Sequence, residues 1–156
     1  MRIGLITDIH ANLEALEAVL AVLDGQQLDY LACLGDVVGY GGQPDECCTR
    51  IRTLADFCVL GNHDAAVCGR MDYSYYRMPA REALDQHAAR LSDANLEWLK
   101  GLPYQRTFED VAFCHGSPAA LEDFEYIFVL DQMRELVAKH EAMAAVTFIG
   151  HSHLCK

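Results

Sequence analysis

The chain alternates between short apolar runs and longer stretches in which apolar positions recur every three or four residues. Met1 to Thr7 is a compact apolar run and predicts a buried strand. Asn12 then stands where it can cap a helix with Leu13, Leu16, Leu20 and Leu23 on one face and Gly25 as its stop. Leu28 to Leu34 predicts a second strand, Pro44 to Leu54 a helix opened by proline, and Phe57 to Leu60 a third strand. A further helix starts at Pro79 with Leu84, Ala88 and Leu91 along one face. Ser92 caps the next one, Leu91 and Leu96 are spaced as a hydrophobic staple, and Gly101 and Pro103 end it. Gln105 to Phe108 and Val111 to Cys114 predict strands paired across the Glu109-Asp110 turn, and Ile127 to Leu130 predicts another. Asp131 caps a helix carrying Met133, Leu136, Val137 and His140, and Ala145 to Ile149 is the last strand. Residues 70–78 break the periodicity and read as an irregular excursion. Strands alternating with helices point to an α/β fold with a mostly parallel sheet.

The length of 156 residues fits a single domain around one core, and the 52% hydrophobic and 22% charged content is that of an ordinary globular chain. Charge changes the picture more. Twelve Lys and Arg against 23 Asp and Glu give a formal net charge of -11, which disfavours nonspecific binding to duplex nucleic acid or an anionic membrane. A phosphate ligand would have to be held by something other than a basic patch. The first apolar run is too short for a signal sequence or a membrane span, so a cytoplasmic location is expected. The seven cysteines include no CxxC spacing and sit mostly in apolar runs, which predicts reduced core residues rather than a disulfide framework or a thiolate zinc site.

Candidate chemistry falls at the ends of the predicted strands. Asp8 and His10 follow the first, Asp36 the second, Asn62 and His63 the third, His115 the fourth, and His151 and His153 the last. In open α/β sheets ligands sit at the carboxyl ends of strands, so these side chains should converge on one rim. Imidazole, carboxylate and amide oxygen together suit borderline divalent ions such as Mn, Fe or Zn. Asp8, His10, Asp36, Asn62, His115, His151 and His153 are more donors than one tetrahedral ion takes. Two ions fit better, with a carboxylate such as Asp36 able to bridge them, and they would supply the positive field that the acidic surface lacks.

In their order and spacing, Asp8-x-His10, Gly35-Asp36, Gly61-Asn62-His63-Asp64, His115 and Gly150-His151-Ser152-His153 resemble the calcineurin-like metallophosphoesterases. Asp8 to Asn12 and Leu34 to Gly41 further resemble the small bacterial and archaeal phosphodiesterase-like branch. The resemblance implies a metallophosphoesterase-type αββα sandwich with two divalent ions, Mn first and Fe, Zn, Ni or Co as alternatives. One ion would lie on Asp8, His10, Asp36 and His153, and the other on Asp36, Asn62, His115 and His151. His63 would be the catalytic acid, in the hydrolysis of a phosphodiester or phosphomonoester by metal-activated water. The implied substrate is a small phosphate ester or nucleotide, with a diadenosine polyphosphate or a protein phosphoester left open. A noncatalytic metal-binding scaffold on the same fold is the alternative reading. Two departures stand out. Gly39 occupies the place where the family pattern has a second Asp that orients the catalytic His, which leaves Asp64 as the candidate partner of His63. The family also usually continues with further strands past the last His-x-His, so the resemblance implies a carboxyl-terminally shortened domain, with the strand Ala145 to Ile149 near an open edge and either self-association into a homo-oligomer or partial disorder around His151 to Lys156 expected.

Other residues read more plainly. His87 and His140 lie on apolar helix faces and are expected in the core, as is Cys114. Ser117 reads as a helix cap. Tyr40, so soon after Asp36, is a candidate for the substrate cleft. Tyr73, Tyr75 and Tyr76 read as a partly buried helix or partner surface, with stacking on a nucleobase as the alternative.

Overall fold

The computed structural model describes residues 1–139 and 143–154. The chain runs β1 (Ile3–Ile6), α1 (Leu13–Asp24), β2 (Tyr30–Cys33), α2 (Pro44–Leu54), β3 (Phe57–Cys58), α3 (Asn62–Val67), α4 (Met78–Arg90) and α5 (Asp93–Lys100). It continues through β4 (Gln105–Phe108), β5 (Val111–Cys114), α6 (Leu130–Lys139) and β6 (Val146–Ile149). Two three-stranded sheets result, ordered β1-β2-β3 and β4-β5-β6. Pairing is parallel in the first sheet and between β5 and β6; β4 and β5 form the antiparallel hairpin expected across Glu109-Asp110.

Alternation along the first strands sets the layers. Ile6, Cys33 and Cys58 join the larger core, which the helices α1 to α5 close with Leu16, Ile51, Leu84 and Leu99. Ile3, Leu5 and Phe57 turn the other way, onto Leu34, Val59 and Phe113, where the two sheets meet. The Phe57 and Phe113 rings touch edge to face with centroids 5.1 Å apart. Each fully buried Leu, Ile or Phe in these layers contributes about 1.5–3 kcal/mol.

Local signals account for most element ends. Asn12 accepts the N–H of Ala15 and Gly25 closes α1, while Ser92 accepts the N–H of Asn95 at the start of α5. Leu91 and Leu96 both join the larger core. The six described cysteines are buried and unpaired. Burial pushes the thiols of Cys47 and Cys114 up to about 12, far from the thiolate that metal binding or nucleophilic attack requires.

Several expectations need correction. Ile127 to Leu130 does not form a strand: the N–H groups of Phe128 and Val129 donate to Gln132 Oε1 and so lead into α6. Helix α6 has no fully buried residue, and Met133 and Val137 are exposed, so its apolar face does not enter the core. His140 lies outside the described residues. On α4 the buried pair is Leu84 and His87 rather than Leu84 and Ala88. No helix follows Ser117, whose Oγ accepts the N–H of Ala119 in a turn. The short helix α3 had no periodic signal. Among the described residues no helix is long and apolar enough to cross a membrane.

Candidate metal centre

The strands deliver their polar residues through turns of unusual backbone conformation. Asp8, His10, Asp36, His151 and His153 all have positive φ, between 50° and 68°. A non-glycine residue held there costs about 1–3 kcal/mol, and such residues gather where the surrounding structure insists on one side-chain direction. The insistence is visible in the backbone: Asp8 N donates to Gly35 O at 3.1 Å and His10 N to Asp36 O at 2.9 Å. His151 N donates to Asp8 Oδ2 at 3.1 Å, which ties the end of β6 to the end of β1.

Several of the candidate donors are pinned at one end and turned inward at the other. His10 Nδ1–H donates to Val38 O at 3.0 Å, and His115 Nδ1–H to Leu34 O at 2.7 Å, so both rings turn Nε2 inward. Asp36 spends Oδ1 on the N–H of His63 at 2.8 Å and Asp8 spends Oδ2 on Thr7 Oγ1–H at 2.7 Å. Asn62 Nδ2 donates to Tyr76 Oη at 2.6 Å, leaving its Oδ1 on the side of His115. Outer hydrogen bonds of this kind fix the tautomer and aim of metal ligands.

The free ends fall into Asp8 with His10 and His153, and Asp36 with His115 and His151, while His10 and Asp36 also form a third group with His63. Within them His153 Nε2 lies 3.2 Å from Asp8 Oδ1, and His115 Nε2 lies 3.2 Å from Asp36 Oδ2. His10 Nε2 and His153 Nε2 approach to 3.1 Å, while Asp8 Oδ1 and His151 Nε2 are buried with no hydrogen-bond partner. Buried polar atoms are ordinarily paired. Orphaned acceptors and converging imidazole nitrogens fit divalent cations, which could be held by all seven residues singled out in the sequence.

Without a cation these groups share protons instead. Burial works against a charged His115, but the Asp36 carboxylate outweighs it and pushes the imidazole up to about 9. Burial, with His115 charge added, pushes His151 down to about 4. Asp36 is held well below the usual carboxylate range: burial alone would raise it, and His115, His63 and His10 together overcome that.

His63 stands beside both groups, its ring against Tyr40 and His10 with centroids 4.7 and 4.9 Å away and edge-on to Tyr76 at 5.7 Å. Its Nδ1 is buried without a partner. Asp64 does not orient it, because Oδ1 accepts the N–H of Val38 and Oδ2 that of Gly61, a capping arrangement at the start of α3. Burial, then the Asp36 charge, pushes the Asp64 carboxyl up to about 7. Gly39 has φ +99°, and a Cβ there would collide with His63 Nδ1, so the family's second Asp has no room in this conformation. Packing between rings replaces the orienting carboxylate.

Two residues to which the sequence reading gave other places complete the setting. His87 Nδ1 accepts the N–H of Gly39 at 3.0 Å and its Nε2–H donates to Gly41 O at 2.8 Å, clamping the turn that presents Tyr40. Only its place three residues after Leu84 on one helix face hints at burial. Tyr76, which holds Asn62, lies in the irregular segment and not on a helix.

Comparison with known proteins agrees with this geometry. A profile of the calcineurin-like phosphoesterases matches residues 1–155. The uncharacterized protein MJ0912 of Methanocaldococcus jannaschii is 35% identical over 156 residues, 97% of this chain and 62% of that one. The crystal structure of a metallophosphoesterase from Sphaerobacter thermophilus superposes with a TM-score of 0.83 at 37% identity, covering 99% of this chain and 61% of that one. Hypothetical protein PH1004 from Pyrococcus horikoshii OT3 shares the fold, with a TM-score of 0.68 at 17% identity over 86% of this chain and 61% of that one. The chain thus spans about three fifths of the length of these relatives. With the profile running along essentially the whole sequence and the motifs meeting at one rim, the chain belongs to the calcineurin-like phosphoesterase family.

Proposed function

We propose that the protein is a phosphoesterase that works with two divalent cations, Mn first among them, on a small phosphodiester or phosphomonoester. The observation that carries this reading is the convergence of the donor atoms, with His10, His115 and Asp36 each tied to the protein by an outer hydrogen bond. Asp36 would be the residue shared by both ions: its Oδ2 faces His115 at 3.2 Å and His10 at 3.8 Å, one residue from each group. When bound, the cations supply the positive charge that a phosphoryl group needs and lower the pKa of water. The side chains do the rest. His10, His115 and the two carboxylates are held in their tautomers and directions by Val38, Leu34, Thr7 and the His63 backbone. His63 serves the departing oxygen. Burial pushes it down to about 4, so the resting imidazole is neutral with one N–H to offer, and an arriving phosphoryl anion favours its second proton.

The test is to load purified protein with Mn, count the bound ions, and follow release of p-nitrophenol from bis(p-nitrophenyl) phosphate. Two ions per chain and turnover abolished by chelator are expected. Two ions with no turnover on mono-aryl or bis-aryl esters would replace this reading with the metal-binding scaffold.

A further inference from the structure

Beside the donor groups lies a cleft of about 660 Å³, most of whose lining falls outside the metal-directed motifs. Asn62, His63 and His151 belong to its lining, so a group that fills it lies next to the candidate metal centre. Its outer part is aromatic: Tyr40, Tyr75, Tyr76 and Tyr126 all line it. The faces of these rings are not equally free. Tyr126 is sandwiched between His151, stacked at 3.7 Å, and Phe128, stacked at 4.9 Å. Tyr40 lies against His10 and His63. Tyr75 meets Tyr76 edge to face at 5.1 Å and is 73% exposed, so most of its ring stands open at the mouth.

Charge narrows the occupant. Arg77 is the one Lys or Arg among the described lining residues, and Asp123 and Glu125 oppose it. Such a cleft rejects additional phosphates and gives little hold to a sugar alone. A planar, uncharged ring gains from it by stacking, and the acidic groups can accept hydrogen bonds from exocyclic amines. We propose that this cleft is a base-binding subsite, so that the preferred substrate carries a purine or pyrimidine on the organic side of its phosphoester, with Tyr75 as the stacking platform. The inference rests on the phosphoesterase reading for what happens at phosphorus, but its own content is recognition of the base.

The test separates the two. AMP and ribose 5-phosphate differ only by the base, and their binding to the Mn-loaded protein is measured by calorimetry. AMP should bind at least about tenfold more tightly. In Tyr75→Ala that advantage should shrink toward unity, whereas Tyr75→Phe, which keeps the ring, should retain it. Equal affinity of the two ligands, or an advantage that survives Tyr75→Ala, overturns the subsite. In parallel, thymidine 5′-(p-nitrophenyl phosphate) and methyl p-nitrophenyl phosphate release the same leaving group. A higher kcat/KM for the thymidine ester is expected, and equal values count against the subsite. If neither ester turns over while AMP still binds preferentially, the phosphoesterase reading falls and the base subsite stands.

Discussion

The sheet β1-β2-β3 is covered on both faces, by α1 to α5 on one side and by Phe113 and its neighbours on the other. The sheet β4-β5-β6 is covered less completely: Phe108, Val146 and Phe148 remain exposed, and α6 contributes no fully buried residue. Yet donors come from both. Asp8, His10, Asp36, Asn62 and His63 leave the sealed sheet, and His115, His151 and His153 leave the open one. Rigid geometry is therefore concentrated where the proposed bridge and acid stand, while the second sheet adds ligands to a frame already set.

The sharpest way to break this comparison is at the bridge. Asp36→Asn removes a charge shared by both donor groups and should lower Mn affinity by more than about 100-fold, with turnover falling to background. Metal content after dialysis, read beside the rate, checks it. His63→Asn should keep both ions and lower kcat by about 10² to 10⁴, with the smaller loss on p-nitrophenyl esters and the larger on nucleoside esters, whose leaving groups need the proton. Loss of metal in that variant would move His63 from chemistry to ligation.

Stability tests the two sheets directly. Ile51→Ala, at a fully buried position of α2, should cost about 2–5 kcal/mol in denaturant unfolding. Val137→Ala, 65% exposed on α6, should stay within about 0.5 kcal/mol. A comparable cost at Val137 would mean that the α6 face is covered in solution. Metal loading should also depend on pH. His115 sits at about 9 without metal, so a proton must leave before its Nε2 can ligate. Apparent Mn affinity should rise about tenfold per unit as pH climbs from 7 to 8 and level off above 9. A flat profile would show that His115 is not a ligand or not protonated at rest.

The parts of this architecture written in local signals were legible. Asn12, Ser92 and Pro44 mark helix starts because caps and proline act within a few residues. The convergence of the candidate donors was legible because strand ends gather at one rim whatever the loops do. The misread parts depend on particular side-chain partners, near or distant. Ile127 to Leu130 is as apolar as a strand, but a side chain from its own neighbourhood, Gln132, takes its N–H groups. Asp64 looked like a partner for the adjacent His63 and instead serves Val38, 26 positions away. His87 looked like an ordinary core residue, yet its ring nitrogens clamp a turn 48 positions earlier. No periodicity encodes such pairings.

Two contacts have a kinetic meaning. His151 N reaches Asp8 Oδ2, and His153 Nε2 reaches His10 Nε2, each across 143 positions of sequence. Joining them closes a loop nearly as long as the chain, and closure entropy grows only with the logarithm of that length but must be met before the contacts reward it. The first donor group therefore forms late in folding, and a nascent chain on the ribosome cannot complete it until His153 has emerged. An ion seated there would act as a reversible crosslink between the two ends of the fold, slowing unfolding more than it speeds folding.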